Sequence, residues 1–393
     1  MVAALAITQT VGYGALIQSF AVLLVPMSTA LGVSRTAVTV AATISTLVGA
    51  LAAYPVGAAL DRFGGRVLMT GGSAIGVVGV LLWSASTDLA TLYTAFVLIG
   101  FGLAMSTYEA AFAVLVAATD AARRDTAIIV VSLVTGFATS LYYPLSGWLE
   151  AGRGWRTTLL VLAASLALIA VPLHLWAVPG RVAHARQVAG QGGTPVREVL
   201  RRATFWLLLA SFAAQAGATS AFLLLMVSYF RDAGHPPTIA ASLPVAVGVL
   251  QLLSRLTIAP LAARFGMTGV TAACFGLQGL GLLALPLAGT SIGWTVLCLA
   301  GFGFGYGVSV VARPSIVAST FGVVRFASIF ALMTVPMAVS RAGTPLLASM
   351  VGNGRFLYVI GAAAAVSAAL LIPMVRAGRR VPSGRTAGTA HAA

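Results

Sequence analysis

Four ionisable side chains stand inside long apolar runs of this chain: Glu109, Arg255, Arg313 and Arg341. Charge placed in hydrocarbon is costly, and such residues by default mark the path of a solute or a proton. Three guanidinium groups and one carboxylate sum to 3 − 1 = +2, so a cavity shared by all four would favour an anion. The planar guanidinium fork suits a carboxylate, which it holds through two parallel hydrogen bonds. Arg255 and Arg341 are therefore candidates to bind substrate. Each could instead be structural, snorkelling or bonding helix-end carbonyls. Glu109 and Arg313 lie at similar depth on the fourth and tenth apolar runs, and together they make a candidate gate. Glu109 is also the carboxylate available for proton coupling, since making and breaking a pair with Arg313 would switch its proton affinity between states. The alternative is a separate partner for each within its own half. Softer polar signals accompany these groups. Gln9 and Tyr13, four apart, share one face of the first run, while Ser211 and Gln215 occupy repeat-related places on the seventh. Gln9, Tyr13 and Gln215 could contact substrate, or they could join helices to one another.

The elements that must position these groups are membrane helices. Hydrophobic residues make up 59% of the 393 and charged residues 8%, far from the roughly 25% charged of soluble domains. A spanning helix needs roughly 20 apolar residues, and cutting at charge clusters and Gly/Pro/Asp turns leaves twelve such runs. Their limits are 4–30, 36–60, 67–86, 89–118, 126–149, 154–178, 203–231, 236–262, 268–288, 291–318, 326–350 and 355–376. No run alternates as a barrel strand would, so the expected fold is an all-α, polytopic bundle of twelve transmembrane helices.

Charge orients the bundle. There is no Lys, so the 23 basic residues are all Arg, against 8 acids. With Asp61 placed in the cytoplasm, fifteen arginines fall on that side, five on the other and three within runs. That asymmetry satisfies the positive-inside rule with both termini cytoplasmic and implies a multi-pass protein of the cytoplasmic membrane. It also accounts for the basic balance without nucleic acid, which would need a clustered basic face on a soluble module. Met1 opens almost directly into the first run, with no basic leader, so no cleavable signal is expected and the true start could lie elsewhere. Cys274 and Cys298 occupy separate runs, and His174, His184, His235 and His391 are scattered. No metal site, cofactor or enzymatic constellation is expected from them.

An internal repeat organises the twelve runs. "IGFGLAMSTYEAAFAVLVAATDAARRDTAII" from Ile99 resembles "AGFGFGYGVSVVARPSIVASTFGVVRFASIF" from Ala300, and "RFG" at Arg62 recurs at Arg264. Six runs are thus followed by six similar ones, as parallel repeats about an axis along the membrane normal. The expected units are a six-helix bundle over 1–178, a cytoplasmic linker over 179–202, a second bundle over 203–376 and a cytoplasmic tail over 377–393. The "PVREVLRR" end of the linker could form a short interfacial helix on anionic lipid, or be plain solvated chain.

Gly57, Asp61, Arg62, Gly64 and Arg66, in "GAALDRFGGRVLM", resemble the loop between helices two and three of the major facilitator superfamily. The two-repeat layout resembles that family over the whole chain. Gly65 departs from the motif, which usually has a second basic residue there, and Ala263 replaces the acid in the second-half copy. The resemblance implies that the Asp-Arg pair knits the cytoplasmic ends of the two halves in one state and releases in the other, making these five residues a conformational latch. Within "SRLTIAPLAARFG" and "VSRAGTP", Arg255 and Arg341 resemble the substrate-binding basic positions of the oxalate/formate antiporter and monocarboxylate transporter branch. "YYPLSGW" is only loosely similar to the Gly-Pro motif of drug-proton antiporters, since Tyr143 stands where that motif needs Gly.

The resulting expectation is a monomeric secondary transporter, not an enzyme, moving a small organic anion such as a mono- or dicarboxylate. Its mechanism would be alternating access, driven by proton symport or by exchange. The alternative is a proton-driven drug or metabolite efflux antiporter with structural arginines. A nontransporting membrane sensor would call for a substantial signalling extension, and the 17 residues after Arg376 offer none.

Overall fold

The computed structural model describes residues 1–180, 194–351 and 354–379. Among these, eleven helices are long and apolar enough to cross a membrane. One of them, Ala122–Ala177, has 56 residues and would reach far beyond a 30 Å core at about 1.5 Å per residue. It is two crossings in contact end to end. Gly154, at φ 75 and ψ 165, interrupts it in a backbone region that glycine enters without steric penalty.

The twelve crossing helices are α1 (Val2–Leu31), α2 (Arg35–Phe63), α3 (Gly65–Ala85), α4 (Leu89–Ala118), α5 (121–153), α6 (154–177), α7 (Ala203–Asp232), α8 (Pro237–Phe265), α9 (Met267–Ala288), α10 (Ile292–Phe321), α11 (326–351) and α12 (Phe356–Arg379). A short helix, Val196–Arg201, precedes α7. The protein is all-α, and no strand occurs among the described residues. Much of the expected linker and tail, including Arg181, Arg186, Arg380 and Arg385, lies outside the described residues.

The helices run further than hydropathy alone suggests. Asp61 and Arg62, expected in a loop, close the last turn of α2, and Arg66 sits in the first turn of α3. The whole connection shrinks to Gly64 at φ 79, and its repeat at Arg264 shrinks likewise to Gly266 at φ 76. Only a residue without Cβ reverses the chain so tightly.

Interruptions in α1, α4 and α11 bear on the site. A π-helical turn, Gly14–Gln18, bulges α1. Between its two parts, Phe326–Leu332 and Thr334–Val351, α11 breaks at Met333. In α4 the break falls at Thr107, which is extended at φ −100 and ψ −159. Ser106 and Thr107 each donate from their hydroxyls to the carbonyl four residues back, Gly102 and Leu103, a competition that bends helices. The break takes the Ser106 carbonyl out of the helical ladder. Gln9 of α1 donates its amide to that carbonyl at 2.8 Å, which satisfies it inside the membrane.

Buried side chains form three cores. One, at the end of the bundle that carries Asp61, draws on both six-helix sets: Leu60, Phe112 and Ile128 pack in it with Phe212, Ile316 and Phe330. At the other end the sets have a core each. Trp83 is central to the first, donating to the Met27 sulfur and packing edge-on to Phe96 at 4.9 Å. Phe222 against Phe302, with centroids 4.4 Å apart, anchors the second. Aromatic residues on facing helices fill all three cores, and at the Asp61 end those of both sets meet in one.

Candidate solute-binding site

Where the shared core ends and the two separate cores begin, a cavity of about 420 Å³ opens between the sets. Small-molecule sites fall in the range of roughly 300–1,000 Å³. All four intramembrane ionisable residues line it.

Glu109 occupies the first turn of the α4 segment that restarts after Thr107. Its Oε1 lies 3.3 Å from Nη2 of Arg313 on α10, an ion pair between the two sets. Arg313 is further held by the Met337 sulfur at 3.2 Å, and its guanidinium lies 4.1 Å above the Phe330 ring centroid. A side chain fixed on three sides is committed to protein partners.

Arg255 is different. It is 5% exposed, and its Nη1 donates to the Ser132 carbonyl of α5 in the opposite set. Nη2 reaches Gln251 Oε1 at 3.5 Å, while Nε is buried with no hydrogen-bond partner. No carboxylate pairs with Arg255 among the described residues. A buried guanidinium without a counter-charge is a costly arrangement that an anionic ligand would relieve. Arg341, on the second segment of α11, is exposed to the cavity, and no carboxylate pairs with it among the described residues. Its backbone carbonyl accepts from the Ser220 hydroxyl at 2.9 Å. With Glu109 spent on Arg313, the cavity keeps two uncompensated positive groups.

Tyr13 lines the wall as part of an aromatic run. Its ring lies 4.7 Å from that of Tyr108, which stacks on Phe112 at 4.9 Å. Gln215 lines the opposite wall and donates to Gln278 Oε1, while Gln278 donates to Thr219 at 3.2 Å. Gln9 is not among the lining residues; it is fully buried and fastens α1 to α4. Ser211 is likewise buried, donating to the Ser367 carbonyl at 2.7 Å. Tyr108, Gln18, Gln251, Tyr306 and Ser309 line the cavity without having been singled out. Gln251, one helical turn before Arg255, carried a signal in its spacing; the others are isolated polar residues in apolar runs.

The five motif residues gather at the Asp61 end. Asp61 Oδ1 accepts from the Ala327 N–H at 3.2 Å, and Oδ2 accepts from the Ser328 N–H at 2.9 Å and its hydroxyl at 2.6 Å. A carboxylate of the first set thus caps the N-terminus of α11 in the second, where the helix dipole favours negative charge. Gly57 makes the approach possible, since a Cβ there would lie 2.6 Å from the Ala327 carbonyl oxygen. Arg66 donates from Nε to the Val178 carbonyl at 2.9 Å, tying α3 to the end of α6. The Arg62 guanidinium lies over the Phe63 ring, 5.2 Å from its centroid. At Gly65 a Cβ would strike Val114 at 2.3 Å and Val178 at 2.8 Å, which accounts for the absent second basic residue.

Comparison with known proteins agrees with this architecture. A bovine (Bos taurus) protein, monocarboxylate transporter 13, is 28% identical over 330 residues, covering 79% of this chain and 73% of that one. Rat (Rattus norvegicus) monocarboxylate transporter 3 is 27% identical over 297 residues, 72% of this chain and 59% of the longer rat protein. Among solved structures, the human organic anion transporter TETRAN superposes with a TM-score of 0.71 at 16% identity, over 96% of this chain and 98% of its own. The transporter FucP, in an outward conformation, gives 0.72 at 15% identity, over 96% and 97%. The family profile described as Major Facilitator Superfamily matches residues 5–335. The chain is a multi-pass membrane protein that belongs to the major facilitator superfamily of transporters.

Proposed function

We propose that this protein moves a small organic anion, a mono- or dicarboxylate, across the cytoplasmic membrane by alternating access of its two six-helix sets. The carrying observation is Arg255, a nearly buried guanidinium with an unpartnered Nε and no carboxylate, lining the same cavity as unpaired Arg341. The names of the bovine and rat relatives support a carboxylate as cargo.

Residues 1–178 and 203–376 act as the moving units, joined by the 179–202 linker, with both termini and the arginine-rich Asp61 end in the cytoplasm. In this arrangement the shared core and the Asp61 latch shut the cytoplasmic side, and the separate cores leave the outer side parted. The anion enters there and meets Arg341 and Arg255. Arg255 bonds Ser132 across the seam, so ligand binding competes with a contact between the sets, which couples occupancy to their rearrangement. Proton symport would run through Glu109. A proton on its carboxylate weakens the bridge to Arg313 and loosens the seam, whereas exchange needs no such step.

Proteoliposome uptake of labelled carboxylates tests the reading. Saturable uptake, competed by other carboxylates and not by neutral or cationic solutes of similar size, is the expected result; uptake indifferent to solute charge would overturn it.

A further inference from the structure

We propose that a second cavity, at the end of the bundle away from Asp61 and wholly within α7–α12, binds a zwitterionic headgroup. The ligand carries an ammonium and an acidic oxyanion, as phosphatidylethanolamine does. This site is independent of the central one.

The cavity measures about 600 Å³ and is lined by the end of α7, the end of α9, part of α11 and the start of α12. Asp232, the last residue of α7, and Arg355, just before α12, both line it. Both are exposed, and they form no ion pair with each other, so their charged atoms stand more than 4.0 Å apart. Opposite charges that share one cavity without meeting leave room for a ligand that bridges them. Arg355 offers the donor fork that holds a phosphate. Asp232 offers the acceptor for an ammonium, and it sits at the negative end of the α7 dipole, which also favours a cation.

Aromatic rings complete the enclosure. Tyr229, Phe356 and Tyr358 line the cavity, with Tyr229 and Phe356 edge-on at 6.1 Å. Ring faces attract an ammonium, and tyrosines gather at membrane interfaces, where headgroups lie. The surroundings point to a lipid as the source of the zwitterion. Leu287, next to the lining Pro286, is 83% exposed, and Met350, two residues beyond the lining Ala348, is 81% exposed. Acyl chains would cover this apolar surface while the headgroup fills the cavity.

The test is thermal unfolding of the purified full-length protein in detergent, titrated with dihexanoyl phosphatidylethanolamine, with dihexanoyl phosphatidylglycerol, which lacks the ammonium, and with free phosphoethanolamine. The proposal expects a saturable rise in melting temperature with phosphatidylethanolamine, none with phosphatidylglycerol, and loss of the rise in both Asp232→Asn and Arg355→Gln. Carboxylate uptake by the two variants should be unchanged. An equal rise with free phosphoethanolamine, lost in both variants, would support the zwitterion site and assign it to a soluble ligand. Equal responses of the unmodified protein to both lipids, or a rise that survives both substitutions, would overturn the proposal.

Discussion

The two ends of the bundle are built from similar residues to opposite effect. At the Asp61 end both six-helix sets contribute to one core, and a carboxylate from α2 caps α11 across the seam. At the other end Trp83 and Phe96 pack inside one set, Phe222 and Phe302 inside the other. Between the sets, the apolar core and the Asp61 cap are concentrated at one end, while at the other end each set packs on itself. Each set keeps a core of its own at the far end, so parting there leaves both sets packed. The difference between the ends is the physical content of a molecule shut on one side and parted on the other.

The largest expected effect on this contrast comes from Gly57→Val, whose side chain would meet the backbone of Ala327. Overpacking against backbone should cost the shut end about 3 kcal/mol. Spin labels at Arg123 and Arg264, exposed in opposite sets at that end, should then report a longer distance, and an unchanged distance would remove the seam from the account. Asp61→Asn comes next. It takes the charge from three hydrogen bonds and should shift the shut-to-open ratio by about 2 kcal/mol, roughly thirtyfold, read by the same label pair.

A smaller effect, about 1 kcal/mol of coupling, belongs to Glu109 and Arg313. Glu109→Arg and Arg313→Glu should each impair transport, and the double exchange should recover part of it. Recovery absent from the double variant would assign the two residues separate roles.

The smallest effect is expected at the parted end. Asp88 caps α4, accepting from the Thr91 N–H at 2.9 Å, and that bond holds its carboxyl below its ordinary value of 3.8. A carboxyl lowered by folding stabilises the fold above its unfolded value and stops doing so as pH falls through the lowered one. Asp88→Ala should therefore lower the melting temperature slightly at neutral pH and not at all in strong acid, with the label distance unmoved.

Much of this was legible in the sequence because lipid leaves few choices. Apolar runs bounded by glycine and charge can only be helices, so the twelve crossings follow. An acid beside two arginines is rare enough in this chain for Asp61 to stand out. The four charged residues within the runs do line one cavity, as their cost in hydrocarbon implied. The break at Thr107 was not legible, since hydroxyls that bond back along a helix usually only bend it, and the Gln9 amide that satisfies the freed Ser106 carbonyl comes from nearly a hundred positions away. For the same reason the two readings of Gln9, substrate contact and helix joint, stayed open in the sequence: a polar side chain on a helix face gives no sign of whether water or a broken helix will receive it. The Gln215–Gln278 bond likewise joins helices whose packing no periodicity specifies.

The central claim is that two guanidinium groups freed of carboxylates hold the transported anion. Equilibrium binding of a carboxylate taken up by the unmodified protein, measured calorimetrically against Arg255→Gln and Arg341→Gln, tests it most directly. Each substitution should weaken binding about tenfold or more, at least about 1.4 kcal/mol, while binding of an uncharged amide analogue stays equally weak in all three proteins. Undiminished carboxylate affinity in both variants would contradict the account.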